Sequence, residues 1–226
     1  MEQKSLERLE TPAPLRQQVY ETLEELIIYG ALEPGEHLVE SRLAQRMGIS
    51  RIPVREALQL LQRDGWVELR PRQGAFVHQP TMQEVDEVFS VRTLLEVESA
   101  RLAAKAATKE SLRDLRKMLK AGTRALSAND GKELVRLNSA FHAKVTELGG
   151  NQVLAEVIAR LDKRIRWYFA PVVTLRGGTS WEEHAELVEA VEAGDPEWAA
   201  EVMRKHAEST KSAYQVWKEQ DTAAQG

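Results

Sequence analysis

The 226-residue chain has no cysteine. Disulfides, thiolate metal sites, iron–sulfur clusters and a cysteine nucleophile are therefore excluded. No apolar run approaches the ~18 residues that a membrane-spanning helix needs. The first ten residues, MEQKSLERLE, lack the apolar core of a secretion signal. The expected setting is the cytoplasm, with no membrane partner. A large excess of one charge is missing too. The net charge is −4, which argues against a whole surface that holds nucleic acid. What remains is a folding composition, 42% hydrophobic and 29% charged, in a chain long enough for one large or two small domains.

The net charge hides a local pattern. Between Arg42 and Arg72 stand seven arginines and no lysine, against only Glu56, Asp64 and Glu68. The planar fork of arginine suits phosphate oxygens and guanine edges, although a solvated basic face explains such a run equally well.

Periodicity divides the chain near Gln79-Pro80-Thr81. Before that point, Leu15, Val19, Leu23, Leu26 and Ile27 mark a first helix that follows Pro12 and Pro14 and ends at Gly30. A second helix is expected over 40–47, stopped by Gly48. A third begins after Ser50, a good N-cap, with Pro53 in its first turn and Val54, Leu58 and Leu61 inward. WVELR and GAFVH then alternate around Pro71-Arg72-Gln73-Gly74, a hairpin signal. After Thr81 the pattern is helical throughout. Six helices are expected, over 82–106, 110–127, 130–148, 151–170, 178–193 and 195–218. Gly149-Gly150, Gly177-Gly178 and Gly194-Asp195-Pro196 separate them, and Thr108, Asn129 and Asp195 are the expected caps. A short low-complexity tail follows Gln220. The fold class is mainly α: a winged helix-turn-helix over 1–79, then an all-α antiparallel bundle over 80–226.

Helix, helix, turn, helix, hairpin is the order of a winged helix-turn-helix, whose third helix enters a major groove. Its first turn carries Ser50, Arg51, Pro53 and Arg55. The two arginines are four apart and share the face opposite Val54, Leu58 and Leu61. Arg72, Gln73 and Gly74 form the hairpin tip, where Arg72 can lie along phosphates and Gly74 permits close backbone approach.

The run from LRQQVYETLEELIIYGALEPGEHLVE through SRLAQRMGISRIPVREALQLLQRDGWVELRPRQGAFV strongly resembles the N-terminal domain of GntR-family bacterial transcription regulators. GALEPGEHL, LAQRMGISRIPVREAL, DGWV and RQGAFV carry the likeness. The resemblance implies that Arg51 and Arg55 read bases, and that Ser50, Arg72 and Gly74 make backbone or groove contacts. It also sets the second helix, opened by Glu40 and Ser41, against the DNA backbone, with Arg42 as the nearby cation.

In the second half, three histidines fall on inward stripes of separate helices: His142, His184 and His206. A lone histidine on an apolar face is usually a hydrogen-bonded core residue. Three in one small bundle suggest a shared metal, for which neutral imidazole suits zinc, nickel, cobalt, copper or iron. Asn138 stands one turn before His142.

VRTLLEVESARLAA, NSAFHAKV and EEHAELVEAVEAGDPEWAAEVMRKHAEST resemble the FCD effector domain of the FadR branch of GntR regulators, in its six-helix, VanR-like version. That resemblance implies a metal, zinc or nickel foremost, held by His142, His184, His206 and the residue at 138. It also implies a small carboxylate effector. The family pattern has Asp where this chain has Asn138, which weakens the ligand and leaves the site more positive. Arg92, on the core-facing stripe of its helix, either pairs with Glu96 or reaches the effector carboxylate. Arg164 is a second effector candidate, with Arg166 beside it.

The reading is a ligand-responsive regulator, a homodimer on double-stranded operator DNA, because one such unit buries too little surface for selective binding. Two alternatives stay open. One is a metal-dependent enzyme that activates water at Asn138 and the three histidines, although no Glu or Asp is placed by motif as a general base. The other is an assembly module without an effector.

Overall fold

The computed structural model describes residues 14–225; Pro12 and MEQKSLERLE lie outside them. These residues divide into two compact units. One holds the residues up to Ile27 together with Ala31–Gln79, the other Ile28–Gly30 together with Pro80 onward.

The first unit runs α1 (Leu15–Ile28), β1 (His37–Leu38), α2 (Glu40–Met47), α3 (Arg51–Arg63), β2 (Val67–Arg70) and β3 (Gly74–Val77). Val19, Leu23 and Ile27 bury one face of α1, whereas Leu15, expected on the same stripe, sits at the helix start and is 46% exposed. Gly48 ends α2 with a φ of 66°, where its N–H closes back onto the Ala44 and Gln45 carbonyls. Val54, Ala57, Leu58 and Leu61 are the buried face of α3. β2 and β3 form the expected hairpin, in the register Val67↔Val77 to Arg70↔Gly74. β1 adds to the other edge of β3, giving the order β1-β3-β2. A strand of two residues shows no alternation, which is why the sequence pattern did not reveal it.

The second unit is the antiparallel bundle α4 (Met82–Ala106), α5 (Lys109–Ser127), α6 (Gly131–Leu148), α7 (Gln152–Phe169), α8 (Val173–Ala193) and α9 (Pro196–Gln225), with a short 3-10 turn at Ala170–Val172 before α8. α4 is central and packs against α6, α7, α8 and α9. Its buried face joins Leu115, Phe141, Leu187 and Met203 in one apolar core, and each such side chain contributes ~1.5–3 kcal/mol on leaving water. Side chains close the helix starts. Thr81 and Glu84 form a capping box on α4, and Thr108 with Ser111 does so on α5. Asp195 accepts from the Trp198 N–H at 3.0 Å ahead of Pro196.

Three local expectations are corrected. Asn129 is not the cap of α6; it takes a left-handed φ of 52° in the loop, and Asp130 caps the helix by accepting from the Glu133 N–H. Gly177-Gly178 does not separate helices, and α8 runs through it from Val173. A Cβ on Gly177 would stand 3.1 Å from the Leu126 side chain, so that glycine serves close packing of α8 and not chain reversal. α9 continues to Gln225, past the expected 218. The tail KEQDTAAQ is rich in strong helix formers and holds no breaker before Gly226. Gly122, in the middle of α5, lies under the indole of Trp181; a Cβ there would fall 2.4 Å from the ring. Among the described residues no helix is long and apolar enough to cross a membrane.

Candidate functional site

The basic face of the first unit is built on the first turn of α3. Arg51 and Arg55 are exposed on the side away from Val54, Leu58 and Leu61, and Pro53 is half-buried between them. Ser50 has the extended backbone of an N-cap, but its hydroxyl makes no capping bond, contrary to the sequence expectation. The first-turn N–H groups of α3 therefore point outward without a side-chain acceptor, at the positive end of the helix.

Arg55 is held by Glu40 at the start of α2. Its Nε lies 3.0 and 3.1 Å from the two carboxylate oxygens, and one Nη donates to Oε2 at 2.8 Å. These donated bonds hold the Glu40 carboxyl below its ordinary range. Arg42, Arg51 and Arg72 are exposed and have no ion-pair partner among the described residues. At the hairpin tip the Gln73 N–H closes a turn on the Arg70 carbonyl at 3.0 Å. Arg72 occupies that turn at a φ of 62°, a left-handed value that costs a non-glycine residue ~1 kcal/mol or more. Gly74 follows at a φ of 98°, and a Cβ there would stand 2.9 Å from the His37 ring. The sequence motif thus places its arginines on one helix face and one strained turn.

The second unit contains a cavity of about 340 Å³. Arg92 and Glu96 line it from α4, Asn138, Ser139 and His142 from α6, and Ile158, Asp162, Ile165 and Arg166 from α7. Arg164 does not line it; its guanidinium lies over the Trp167 ring. The Arg166 Nε stands 3.0 Å from Asp162, whose other oxygen accepts from the Ser139 hydroxyl.

His142, His184 and His206 are all buried and bring their Nε2 atoms together. His142 Nε2 lies 3.1 Å from His206 Nε2 and 3.3 Å from His184 Nε2. The opposite nitrogens fix the tautomers. The His206 Nδ1 faces Glu183 at 2.8 Å and must carry the proton, since the carboxylate only accepts. The His142 Nδ1 stands 3.2 Å from Glu96, outside hydrogen-bond alignment but close enough for the carboxylate to favour a proton there. Two Nε2 lone pairs therefore face each other across 3.1 Å with no hydrogen between them. The His184 Nδ1 has no hydrogen-bond partner. Aromatic packing holds that ring instead, with Phe141 stacked at 4.2 Å and Trp181 edge-on at 4.8 Å.

Burial, with the positive charges around them, holds His184 and His206 well below the ordinary histidine pKa, so both are neutral. Burial would raise the Glu96 carboxyl, but the charge of Arg92 and the contact with His142 overcome it and hold the group far below its usual range. Among unpartnered buried atoms are the Asn138 Oδ1 and one Nη of Arg92.

This donor set fits a divalent transition-metal ion. Imidazole nitrogens ~2.0–2.1 Å from one ion stand ~2.9 Å apart at a right angle and ~3.4 Å apart in a tetrahedron, which brackets the spacings from His142 to the other two. Glu96 and Glu183 supply the carboxylates behind the imidazoles that orient such ligands. Sequence reasoning missed Glu183. It reaches from α8 to a histidine on α9, while Arg176, seven residues before it, donates to both carboxylate oxygens: 2.6 Å to the Oε2 that also faces His206 and 3.2 Å to Oε1. No spacing within one helix signals a contact between two.

The low histidine pKa values carry a sign. The unfolded imidazoles bind protons near pH 6.5 and the folded ones do not, so stability is complete above that value and falls as pH drops below it. The same direction holds for Glu96. In chelator, the midpoint of thermal unfolding is expected to fall steeply between about pH 7 and about pH 5, at up to ~1.4 kcal/mol per pH unit for each histidine. A flat profile across that window would show that these rings accept protons in place.

Two family models match the chain. Residues 15–77 match bacterial regulatory proteins of the gntR family, and residues 87–209 match the FCD domain. The HTH-type transcriptional regulator YdhC of Bacillus subtilis is 30% identical over 88% of this chain and 90% of its own length. The HTH-type transcriptional repressor RspR of Escherichia coli is 26% identical over 94% of each. The solved structure of E. coli McbR/YncC has the same fold, with a TM-score of 0.74 over 91% of this chain and all of its own, at 24% identity. The enzyme alternative is overturned by these relatives, and the cavity agrees, since both Glu96 oxygens are taken by Arg92 and His142 and neither is free as a general base. A winged helix-turn-helix followed by a six-helix domain, matched along nearly its whole length by regulators of transcription, places this chain in the GntR family, in the FadR-like branch that carries an FCD domain.

Proposed function

We propose that the chain binds double-stranded operator DNA as a homodimer and that a small carboxylate, bound beside a divalent ion in the FCD domain, changes its operator affinity. One observation carries the sensing half. Three imidazoles converge, and the nearby carboxylates are already matched: Glu96 by Arg92, Asp162 by Arg166 and Glu183 by Arg176. A divalent ion held by His142, His184, His206 and the Asn138 oxygen would supply an uncompensated positive charge for an acid. Arg92 offers its unpartnered Nη to the same acid from the cavity wall. The cavity is otherwise lined by Ile158, Ile165 and alanines, which suits an apolar body on the acid.

For DNA, Arg51 and Arg55 would read base edges from α3. Ser50 and Arg42 would contact phosphates, with Pro53 shaping the first turn, and Arg72, Gln73 and Gly74 would enter the neighbouring minor groove. For the dimer, α4 and α7 pack on one another and both leave apolar side chains uncovered. Leu94 is 73% and Val153 71% exposed, with Val91 and Val157 beside them on their helices. A second copy would cover such a surface.

The test is a thermal-shift screen of organic acids on protein loaded with zinc or nickel, followed by operator binding. An acid present at about a hundred times its dissociation constant stabilises by ~2.7 kcal/mol. Acids that pass should change operator affinity, and sedimentation should show twice 25.5 kDa for the full chain and a dimer of the shorter fragment after removal of residues 1–79. A metal-loaded protein that no acid stabilises would overturn the sensing half.

A further inference from the structure

Arg92 makes a contact that the sensing scheme does not use. Its Nη2 lies 3.4 Å from the Nε2 of His142, the atom that faces the other two imidazoles. An arginine has no lone pair, so in this long hydrogen bond the guanidinium donates and the Nε2 accepts. Glu96 holds both partners from behind. Its Oε2 accepts from the Arg92 Nε at 2.9 Å, and its Oε1 lies 3.2 Å from the His142 Nδ1. The remaining Nη1 of Arg92 is buried without any partner. Arg92 is 1% exposed, so these donors are shielded from bulk solvent and meet other partners only through the cavity.

We infer that Arg92 competes with a divalent cation for the Nε2 lone pair of His142, and that cation binding turns the guanidinium over to an anionic ligand. The inference rests on the reading of the three imidazoles as a cation site. A nitrogen has one lone pair in the ring plane, and it cannot serve both. When the cation takes it, Nη2 joins Nη1 as a second buried donor without an acceptor, beside an added positive charge. Both penalties are removed by one carboxylate that accepts from the two Nη groups while facing the cation. Glu96 keeps its hold on the Nε, so the guanidinium stays in place and only its outer edge changes partner. Cation and acid therefore bind with positive coupling, and by reciprocity each strengthens the other. Arg92 is the residue that carries the coupling.

The experiment titrates the metal-stripped full chain with zinc alone, in competition with a chromophoric chelator, with and without millimolar acetate. Acetate holds zinc only weakly in water and serves as the carboxylate probe. Acetate should raise zinc affinity of the unaltered protein by fivefold or more, the lower end of usual coupling. Without acetate, Arg92→Gln should bind zinc about tenfold more tightly, and in Arg92→Lys and Arg92→Gln alike acetate should have no effect. Arg92→Lys keeps a charge opposite Glu96, so it carries the test should Arg92→Gln fail to fold. Equal acetate enhancement with and without the arginine, or no enhancement in either, overturns the inference. His184→Ala distinguishes the deeper failure: if it binds zinc as the unaltered protein does, the three imidazoles are not a cation site at all.

Discussion

Arg51→Ala and Arg55→Ala are each expected to weaken binding to a selected operator duplex by about five- to hundredfold, with less loss on scrambled DNA. The two side chains project from one face of the first turn of α3, and only that face is free of core contacts. Arg55 enters the encounter already aimed, because Glu40 holds its Nε and one Nη. An exposed pair of this kind contributes little to stability, so the substitutions should leave the fold intact. Arg72→Ala should instead weaken all duplexes more evenly and flatten the salt dependence, as expected for a phosphate contact. The measurement is fluorescence anisotropy on a duplex selected from a random pool, at two salt concentrations, with circular dichroism as the control of folding. Retained operator affinity in both folded α3 variants would place base reading on another element.

His206→Ala is expected to lower metal affinity by more than about a hundredfold, since even the residues behind metal ligands are worth 10–100-fold. The substitution removes one of three converging Nε2 atoms, while Glu183 keeps its pair with Arg176. Effector-free DNA binding should persist, because the DNA-binding residues belong to the other compact unit. Asn138→Asp should act oppositely and raise metal affinity by about tenfold, by adding charge beside the imidazoles. The same added charge should weaken an acidic effector. Elemental analysis of dialysed protein, with chelator competition for affinity, reads both effects. Unchanged metal content in His206→Ala would show that this ring is a core histidine held by Glu183 alone.

The backbone plan was legible because its signals are local. The period of 3.6, the caps Thr108 and Asp195, and the turn at Gly48 each act over a few residues, and they set most helix limits to within a residue or two. Where local and tertiary demands diverge, the reading failed. Gly177-Gly178 looks like a chain break, yet the helix runs through it, and Gly177 is a packing position that the neighbouring Leu126 and Leu134 explain. The three histidines were legible as inward positions on separate helices. Their tautomers were not, because the carboxylates that set them come from other elements: Glu96 on α4 toward α6, and Glu183 on α8 toward α9. Arg92 showed the opposite limit. Its spacing to Glu96 revealed the ion pair, but its third contact, with His142, lies fifty residues away.

Gly122 bears on how this protein can be engineered. Replacing an interior helical glycine with alanine is an ordinary route to a more heat-resistant variant, worth up to ~1 kcal/mol in propensity alone. Here the added methyl would strike the Trp181 indole, which in turn abuts the His184 ring. A library built on helix propensity would therefore reach the sensing centre from α5, which packs directly on α8. At this one site the clash should cost ~1–3 kcal/mol, more than the propensity gains, so Gly122→Ala should lower heat resistance and disturb the His184 ring together.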